Sequence, residues 1–381
     1  YIEGYFGREL DWQQRRGIID HLANLGMNSY LYAPKEDPYH RINWKAEYPR
    51  EWAREIKVLH SRGKERGVTV IPALAPGLSF DYNSQADYQK LLEKFTFYFS
   101  LGINHIALLM DDISLELPNN CSESFSSLGE AHGKMLTSLY KHLLEENEDL
   151  VLWFCPTVYS DQFVEGRAVD SKYITDLHHS MPQGITVMWT GDRIISKQLS
   201  KNSCGDISNF FGGNVVFWDN LWANDYAPLR LFIGAFEGRE LDFIKRNRGI
   251  MINPTGLYET DKFLLSLFGR FLAGYENPEV AWGEVAEQAG IPELFLKIRK
   301  FFWLPYEEIS KELFSCHAIA EYGDLYNDLI VPWVHPLKIE WYPYLQSLYQ
   351  DFVYVSQEKN NNRNWLQQRY PAVIAEHLEE K

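Results

Sequence analysis

Clustered cysteine is missing from this sequence. Its four cysteines, Cys121, Cys155, Cys204 and Cys316, are widely spaced and form no CxxC pair and no Cys/His cluster. That spacing disfavours a zinc site or a disulfide scaffold and leaves buried, incidental thiols as the plain reading. Positive charge is also short: 37 Lys and Arg stand against 52 Asp and Glu, a net charge of −15. Phosphate binding needs a basic surface to release counterions, so nucleic acid is not an expected partner, and an anionic membrane surface is disfavoured for the same reason. No apolar run reaches the roughly 20 residues that span a bilayer. No GxGxxG follows the first strand candidate and no GxxxxGK[ST] occurs anywhere, so the phosphate loops of nucleotide-binding folds are absent. No leader is visible, which with so few cysteines favours a cytoplasmic protein. The sequence opens on Tyr1 rather than Met, however, so a trimmed start would hide one.

Aromatic residues are plentiful, with 12 Trp, 23 Tyr and 22 Phe in 381 residues. They suit a large core, and also a protein that stacks rings against sugar faces. The first two-thirds of the chain alternates short β-rich runs with longer helical stretches, the rhythm of parallel βαβ units. Strands are expected at Tyr1–Phe6, Asn28–Tyr32, Thr69–Leu74, His105–Met110, Val151–Cys155, Thr186–Trp189, Val215–Trp218 and Gly249–Ile252. Helices are expected at Asp11–Leu25, Arg50–Arg66, Gln85–Ser100 and Leu128–Glu145, several of them stopped by a glycine such as Gly67. The unit between the last two strands is short of helix. This pattern predicts an α/β fold, a (β/α)₈ TIM barrel over residues 1–275, followed by a C-terminal α-helical domain over 276–381. In that second part glycine becomes rare and helical periodicity runs to Gln357, with a polar loop at 359–364 before one last helix. The C-terminal helices are the candidate surface for a homodimer.

In a barrel the active site is built where strands end. After the fourth strand candidate the chain reads Ala107-Leu108-Leu109-Met110-Asp111-Asp112-Ile113, an apolar run closing on two acids. Capping the next helix or pairing with a neighbouring cation is one explanation; chemistry at the barrel mouth is the other. Glycosidases commonly flank the scissile bond with two carboxylates, about 5 Å apart when configuration is retained. Adjacent residues leave the backbone within one ~3.8 Å step, so Asp111 and Asp112 cannot easily straddle a sugar ring. They could instead divide the work on one side of it. One would protonate the leaving oxygen, and the other would orient a nucleophile belonging to the substrate, such as a 2-acetamido group. Repulsion between neighbouring acids raises one pKa, as a general acid near neutral pH requires. No His/Cys cluster accompanies the pair, so neither metal nor cofactor is expected.

Several motifs then occur in order, each at a strand end. They are Ile2-Glu3-Gly4-Tyr5-Phe6-Gly7-Arg8, Asn28-Ser29-Tyr30-Leu31-Tyr32-Ala33-Pro34-Lys35, Leu109-Met110-Asp111-Asp112-Ile113 and Phe154-Cys155-Pro156-Thr157-Val158-Tyr159. Trp189-Thr190-Gly191, Trp218-Asp219-Asn220 with Ala223-Asn224-Asp225-Tyr226, and Asn253-Pro254 follow. Over roughly residues 1–275 the chain resembles the family 84 glycoside hydrolases, the protein O-GlcNAcases and bacterial hexosaminidases. The resemblance implies a retaining exo-β-N-acetylglucosaminidase that works by substrate assistance through an oxazoline, on a GlcNAc-bearing glycan or glycoprotein. It implies that Asp111 binds and polarises the acetamido N–H, and that Asp112 is the general acid and then the base. By the same resemblance Tyr159 lies beside the acetamido group, Trp218 encloses its methyl, and Asn220 donates to a sugar or acetamido oxygen. Asp225 would clamp the 4- and 6-hydroxyls, Asn253 would make a further hydroxyl contact, and Lys35 with the Gly4 carbonyl would meet the 3-hydroxyl. His40 and Arg41 are read only as orienting the loop after Lys35.

Each has a plainer alternative. Trp218 could be core, Lys35 a surface charge, Asn220 and Asn253 turn residues, and Asp225 a cap for the segment after it. Tyr32, Trp189 and Tyr226 are assigned to the core. Two stretches depart from the family pattern: Val158 stands where glutamate is frequent, and Thr255-Gly256-Leu257-Tyr258 replaces a polar continuation. The alternatives are a hexosaminidase for oligosaccharide or peptidoglycan fragments, and a GlcNAc-binding protein without catalysis. The intact Asp111–Asp112 pair speaks against the last.

Overall fold

Eight parallel strands pair in sequence order: β1 (Ile2–Glu3), β2 (Ser29–Tyr32), β3 (Thr69–Leu74), β4 (His105–Leu109), β5 (Val151–Cys155), β6 (Thr186–Trp189), β7 (Val215–Asp219) and β8 (Gly249–Ile252). This computed structural model describes residues 1–275, 277–306 and 316–357. The expected polar loop at 359–364 and the helix after it lie outside the described residues. Strand and helix alternate throughout, so each crossover returns the chain to the neighbouring parallel strand, giving the (β/α)₈ barrel that the pattern predicts. Register carries the side-chain alternation from strand to strand, with Leu31 opposite Ile71, Ala73 opposite Ala107 and Ala107 opposite Trp153. The residues of one parity fill the interior: Leu31 and Ala33, Ile71, Ala73 and Ala75, Ala107 and Leu109, Trp153 and Cys155. Alanines on β3 and β4 and just past β2 and β3 share this interior with the bulky Trp153, Met188 and Trp218.

Strand β1 is shorter than expected. Past Glu3 the chain leaves the ladder, because the Gly4 N–H donates to the Asn253 side chain (3.1 Å) and not to a strand carbonyl. That bond ties the end of the first strand to the end of the eighth. Glycine is required at this position: a Cβ there would lie 2.5 Å from Cζ2 of Trp218.

The chain separates into two compact units, Tyr1–Asn220 with Gly238–Asn253, and Leu221–Glu237 with Pro254–Lys381. The first holds the eight strands and helices α1 (Trp12–Asn24), α2 (Arg50–Arg66), α3 (Gln85–Ser100), α4 (Leu128–Glu146), α5 (Lys172–Ser180), α6 (Lys201–Phe210) and α7 (Leu241–Ile244). The four-residue α7 is the helix-poor unit expected before the last strand. The second unit is helical: α8 (Tyr258–Ala273), α9 (Pro278–Gln288), α10 (Cys316–Ile330) and α11 (Pro336–Gln357). Helix α8 has no side-chain cap of its own at Leu257. Glu340 of α11 accepts from the Glu259 and Thr260 N–H groups (2.9 and 2.8 Å) and from the Thr260 hydroxyl (2.7 Å), placing a carboxylate at the positive end of the helix. The departure at Thr255-Gly256 has a structural basis here, since the Asp261 carboxylate gathers both N–H groups and the Thr255 hydroxyl. No helix among the described residues is long and apolar enough to cross a membrane.

Candidate active site

Asp111 continues the inward parity of Ala107 and Leu109, so its carboxylate enters the barrel mouth, where it is buried. Its partner comes from the end of β2: Lys35 Nζ lies 2.5 Å from Oδ2. Lys35 is therefore no surface charge; it is buried, with its ammonium 5.5 Å from the Phe6 ring centroid and 6.0 Å from that of Trp218. Burial alone would raise the Asp111 pKa. The Lys35 charge and hydrogen bond, joined by the charge of Arg41, outweigh it and hold the carboxyl below its usual range. Asp111 is thus an anion at neutral pH. Its second oxygen, Oδ1, is buried and has no hydrogen-bond partner among the described residues. An unpaired buried carboxylate oxygen is costly, and an N–H donor would satisfy it.

By the same alternation Asp112 should point outward, away from the site. The chain prevents this by turning: Asp112 has φ 55°, the left-handed region, and is the one non-glycine residue with positive φ among those described. Aspartate tolerates that region better than most residues, at a cost on the order of 1–2 kcal/mol. The turn brings its Oδ1 within 2.8 Å of the Tyr159 hydroxyl, which donates to it. Tyr159 belongs to the interior cluster, and burial with the two neighbouring carboxylates raises its pKa far beyond the ordinary tyrosine range, so it stays a donor. Asp111 is closed off by Lys35, whereas the Asp112 side chain keeps 33% of its surface open.

On the seam side, Trp218 Nε1–H donates to Asn220 Oδ1 (2.9 Å), and Asn253 Nδ2–H donates to the same oxygen (2.9 Å). Asn220 Nδ2–H donates in turn to the Ile194 carbonyl (2.9 Å). With the Gly4–Asn253 bond this forms one chain of contacts among four of the expected residues. Behind the β4 and β5 ends, the Thr157 hydroxyl donates to the Met110 carbonyl (2.7 Å) and its N–H to the Tyr173 oxygen (2.9 Å). Tyr173 and Tyr82 flank His132 at 2.8 and 2.7 Å, and burial lowers that imidazole to about 3. His132 is therefore a neutral brace behind the acids. The thiols of Cys121, Cys155 and Cys204 are free and buried.

The first unit thus brings together Gly4, Lys35, Asp111, Asp112, Tyr159, Trp218, Asn220 and Asn253. Asp225 belongs to the second unit, where its Oδ1 accepts from the Tyr226 N–H (3.0 Å), the short-range contact of a turn. Tyr226 is exposed, against its assignment to the core, while Tyr32 and Trp189 are buried as expected. Sequence reasoning gave Arg41 only the orienting of the loop after Lys35, and gave Phe6 no role of its own. Arg41 lies 3.9 Å from Asp112 Oδ2 and 5.4 Å from the Phe6 ring. The one sequence signal was a cationic residue on the same post-strand loop as Lys35.

Residues 1–301 match the family described as beta-N-acetylglucosaminidase. The chain is 33% identical over 260 residues to the protein O-GlcNAcases of Mus musculus and Rattus norvegicus, a match covering 68% of this chain and 28% of either relative. The shared stretch is thus little more than a quarter of those proteins. In fold, the chain is similar to a solved variant of an O-GlcNAc hydrolase from Thermobaculum terrenum, with TM-score 0.82 and 23% identity over 100% of this chain and 88% of that one.

Proposed function

Because the chain belongs to the beta-N-acetylglucosaminidase family of glycoside hydrolases, we propose that it removes terminal β-linked N-acetylglucosamine with retention of configuration, through an oxazoline. The observation that carries this reading is the division between the two acids. Asp111 is a buried anion with one oxygen on Lys35 and the other unpaired. It suits an acceptor for the acetamido N–H, which turns the acetamido oxygen onto the anomeric carbon. Asp112 is the more open acid and suits proton transfer to the leaving oxygen. The acetamido oxygen forms the new bond to the anomeric carbon as the glycosidic bond breaks, the leaving oxygen takes the Asp112 proton, and the acetamido N–H proton passes to Asp111. Water then attacks the same carbon from the vacated side, gives a proton to Asp112 and opens the oxazoline, whose nitrogen recovers its proton from Asp111, so two inversions give retention. No metal enters these steps.

Trp218, Asn220, Asn253, Lys35 and the Gly4 carbonyl would hold the sugar, with Tyr159 beside the acetamido group and Asp225 clamping the 4- and 6-hydroxyls. The names of the mammalian relatives make a GlcNAc-modified protein the first substrate to try. Hydrolysis of an aryl β-N-acetylglucosaminide followed by NMR tests the reaction: the β-anomer should form first, and a thiazoline mimic of the intermediate should inhibit strongly. A first-formed α-anomer would overturn the mechanism. Faster turnover of chito-oligosaccharides than of O-GlcNAc peptides would shift the substrate to a glycan. Association through the C-terminal helices is read by sedimentation of the full chain.

A further inference from the structure

We propose that Arg41 is a positioning residue for Asp112: it holds the left-handed turn that swings this carboxylate into the site, and it faces the oxygen that exchanges the proton. The inference rests on the reading of Asp112 as the general acid.

Two oxygens of Asp112 are accounted for differently. Oδ1 accepts the Tyr159 hydroxyl hydrogen, so an acidic proton belongs on Oδ2. Oδ2 faces Arg41 Nη1 at 3.9 Å, an ion-pair distance and not a hydrogen bond. The gap leaves Oδ2 room to point its proton at a leaving oxygen. When that proton departs, the new negative charge lies against a fixed positive one, and it stays aligned to receive the proton of the incoming water. Meanwhile Nη2 donates to the Asp112 main-chain carbonyl at 3.4 Å, so the same fork reaches both the backbone and the side chain of the turned residue.

Arg41 is itself built in. It is buried, packs on Phe6, and its Nη1 has no hydrogen-bond partner among the described residues. A buried guanidinium nitrogen left unbonded at the protein's own expense points to a job at the carboxylate it faces. Its charge also lies near Asp111, but there the Lys35 charge and hydrogen bond act more strongly, so the loss of Arg41 should fall chiefly on Asp112. A lysine could supply the charge but not the planar fork that spans carbonyl and carboxylate.

The test compares Arg41→Gln and Arg41→Lys with Asp112→Asn, using aryl β-N-acetylglucosaminides of good and poor leaving groups. Arg41→Gln should lower kcat/KM for the poor leaving group by on the order of tenfold to a hundredfold, and far less for the good one, because a misaligned acid hurts where protonation is needed most. Arg41→Lys should recover part of that loss. In the Asp112→Asn background Arg41→Gln should add little, since there is no acid left to position. Equal losses on both substrates, or full additivity with Asp112→Asn, would overturn the inference even if Asp112→Asn behaves as a lost general acid. If Asp112→Asn itself shows no leaving-group dependence, the underlying assignment fails instead. Should Arg41→Gln fold poorly, the leaving-group pattern of Arg41→Lys decides alone: the same skew supports positioning, and uniform loss refutes it.

Discussion

Replacing Asp112 by asparagine keeps its shape but removes the proton that Oδ2 would deliver. The loss should fall chiefly on poor leaving groups and reach about 10²–10⁴-fold, the usual scale of general acid catalysis. Asp111→Asn differs in kind. It removes the charge that Lys35 opposes and presents an amide to the acetamido N–H, so good and poor leaving groups should suffer alike. Steady-state kinetics over a leaving-group series separates the two, and identical slopes would refute the division. Asp225 is judged by another comparison. As a sugar clamp its replacement by alanine should lower kcat/KM by about tenfold or more and narrow the preference for the parent sugar over its 4-deoxy analogue. As a turn residue holding the Tyr226 N–H it would lower the melting temperature and leave kinetics per folded molecule intact. None of these surroundings could be read from the chain alone. Lys35 and Asp111 are 76 residues apart, and the φ of Asp112 depends on partners brought in by β2 and β5.

Helix α8 borrows its N-terminal acceptor from α11, which makes the end of one element depend on the middle of another. Glu340→Ala leaves the Glu259 and Thr260 N–H groups without that carboxylate and should cost about 0.5–2 kcal/mol, the range of a lost cap. Urea unfolding should show it, with Glu340→Gln recovering part; an unchanged midpoint in both would mean that water serves equally well. This dependence was illegible in sequence, since Leu257 gives no capping signal and Glu340 reads as one more charge on a helix. The strands were legible for the opposite reason. β3, β5, β6 and β8 begin and end where the apolar and β-branched runs do, because local composition alone bounds them. β1 escaped that rule because tertiary contacts at Gly4 withdraw it from the ladder.

At the scale of the whole molecule, two buried imidazoles make stability depend on pH. Burial, then the Lys35 charge, lowers His40 to about 4, and burial lowers His132 to about 3. An unfolded chain protonates both near 6.5, while the folded chain keeps them neutral until well below. Stability is therefore full above that value and falls as pH drops, each histidine contributing on the order of 1.4 kcal/mol per pH unit until its folded pKa is reached. His132→Gln should flatten the decline in urea midpoint between pH 6 and 5 by about one such contribution. NMR titration of the parent protein checks the same claim without a variant: an imidazole titrating near 6.5 in the His132 environment would contradict it.

The Gly4–Asn253–Asn220–Trp218 chain has a consequence for how occupancy of the site can be observed. The bonds that fasten the first strand end to the eighth run through side chains proposed to grip the sugar, so the barrel's seam doubles as its sensor. A ligand held by Asn220 or Asn253 should damp opening of that seam before it affects the remaining strands. In an Asp112→Asn protein saturated with the thiazoline mimic, amide hydrogen exchange should slow most at Gly4, Met251, Ile252 and Asn253, while amides of β5 and β6 away from the ligand change little. Binding would then be readable as the tightening of one joint in a ring of eight strands, with no turnover to follow.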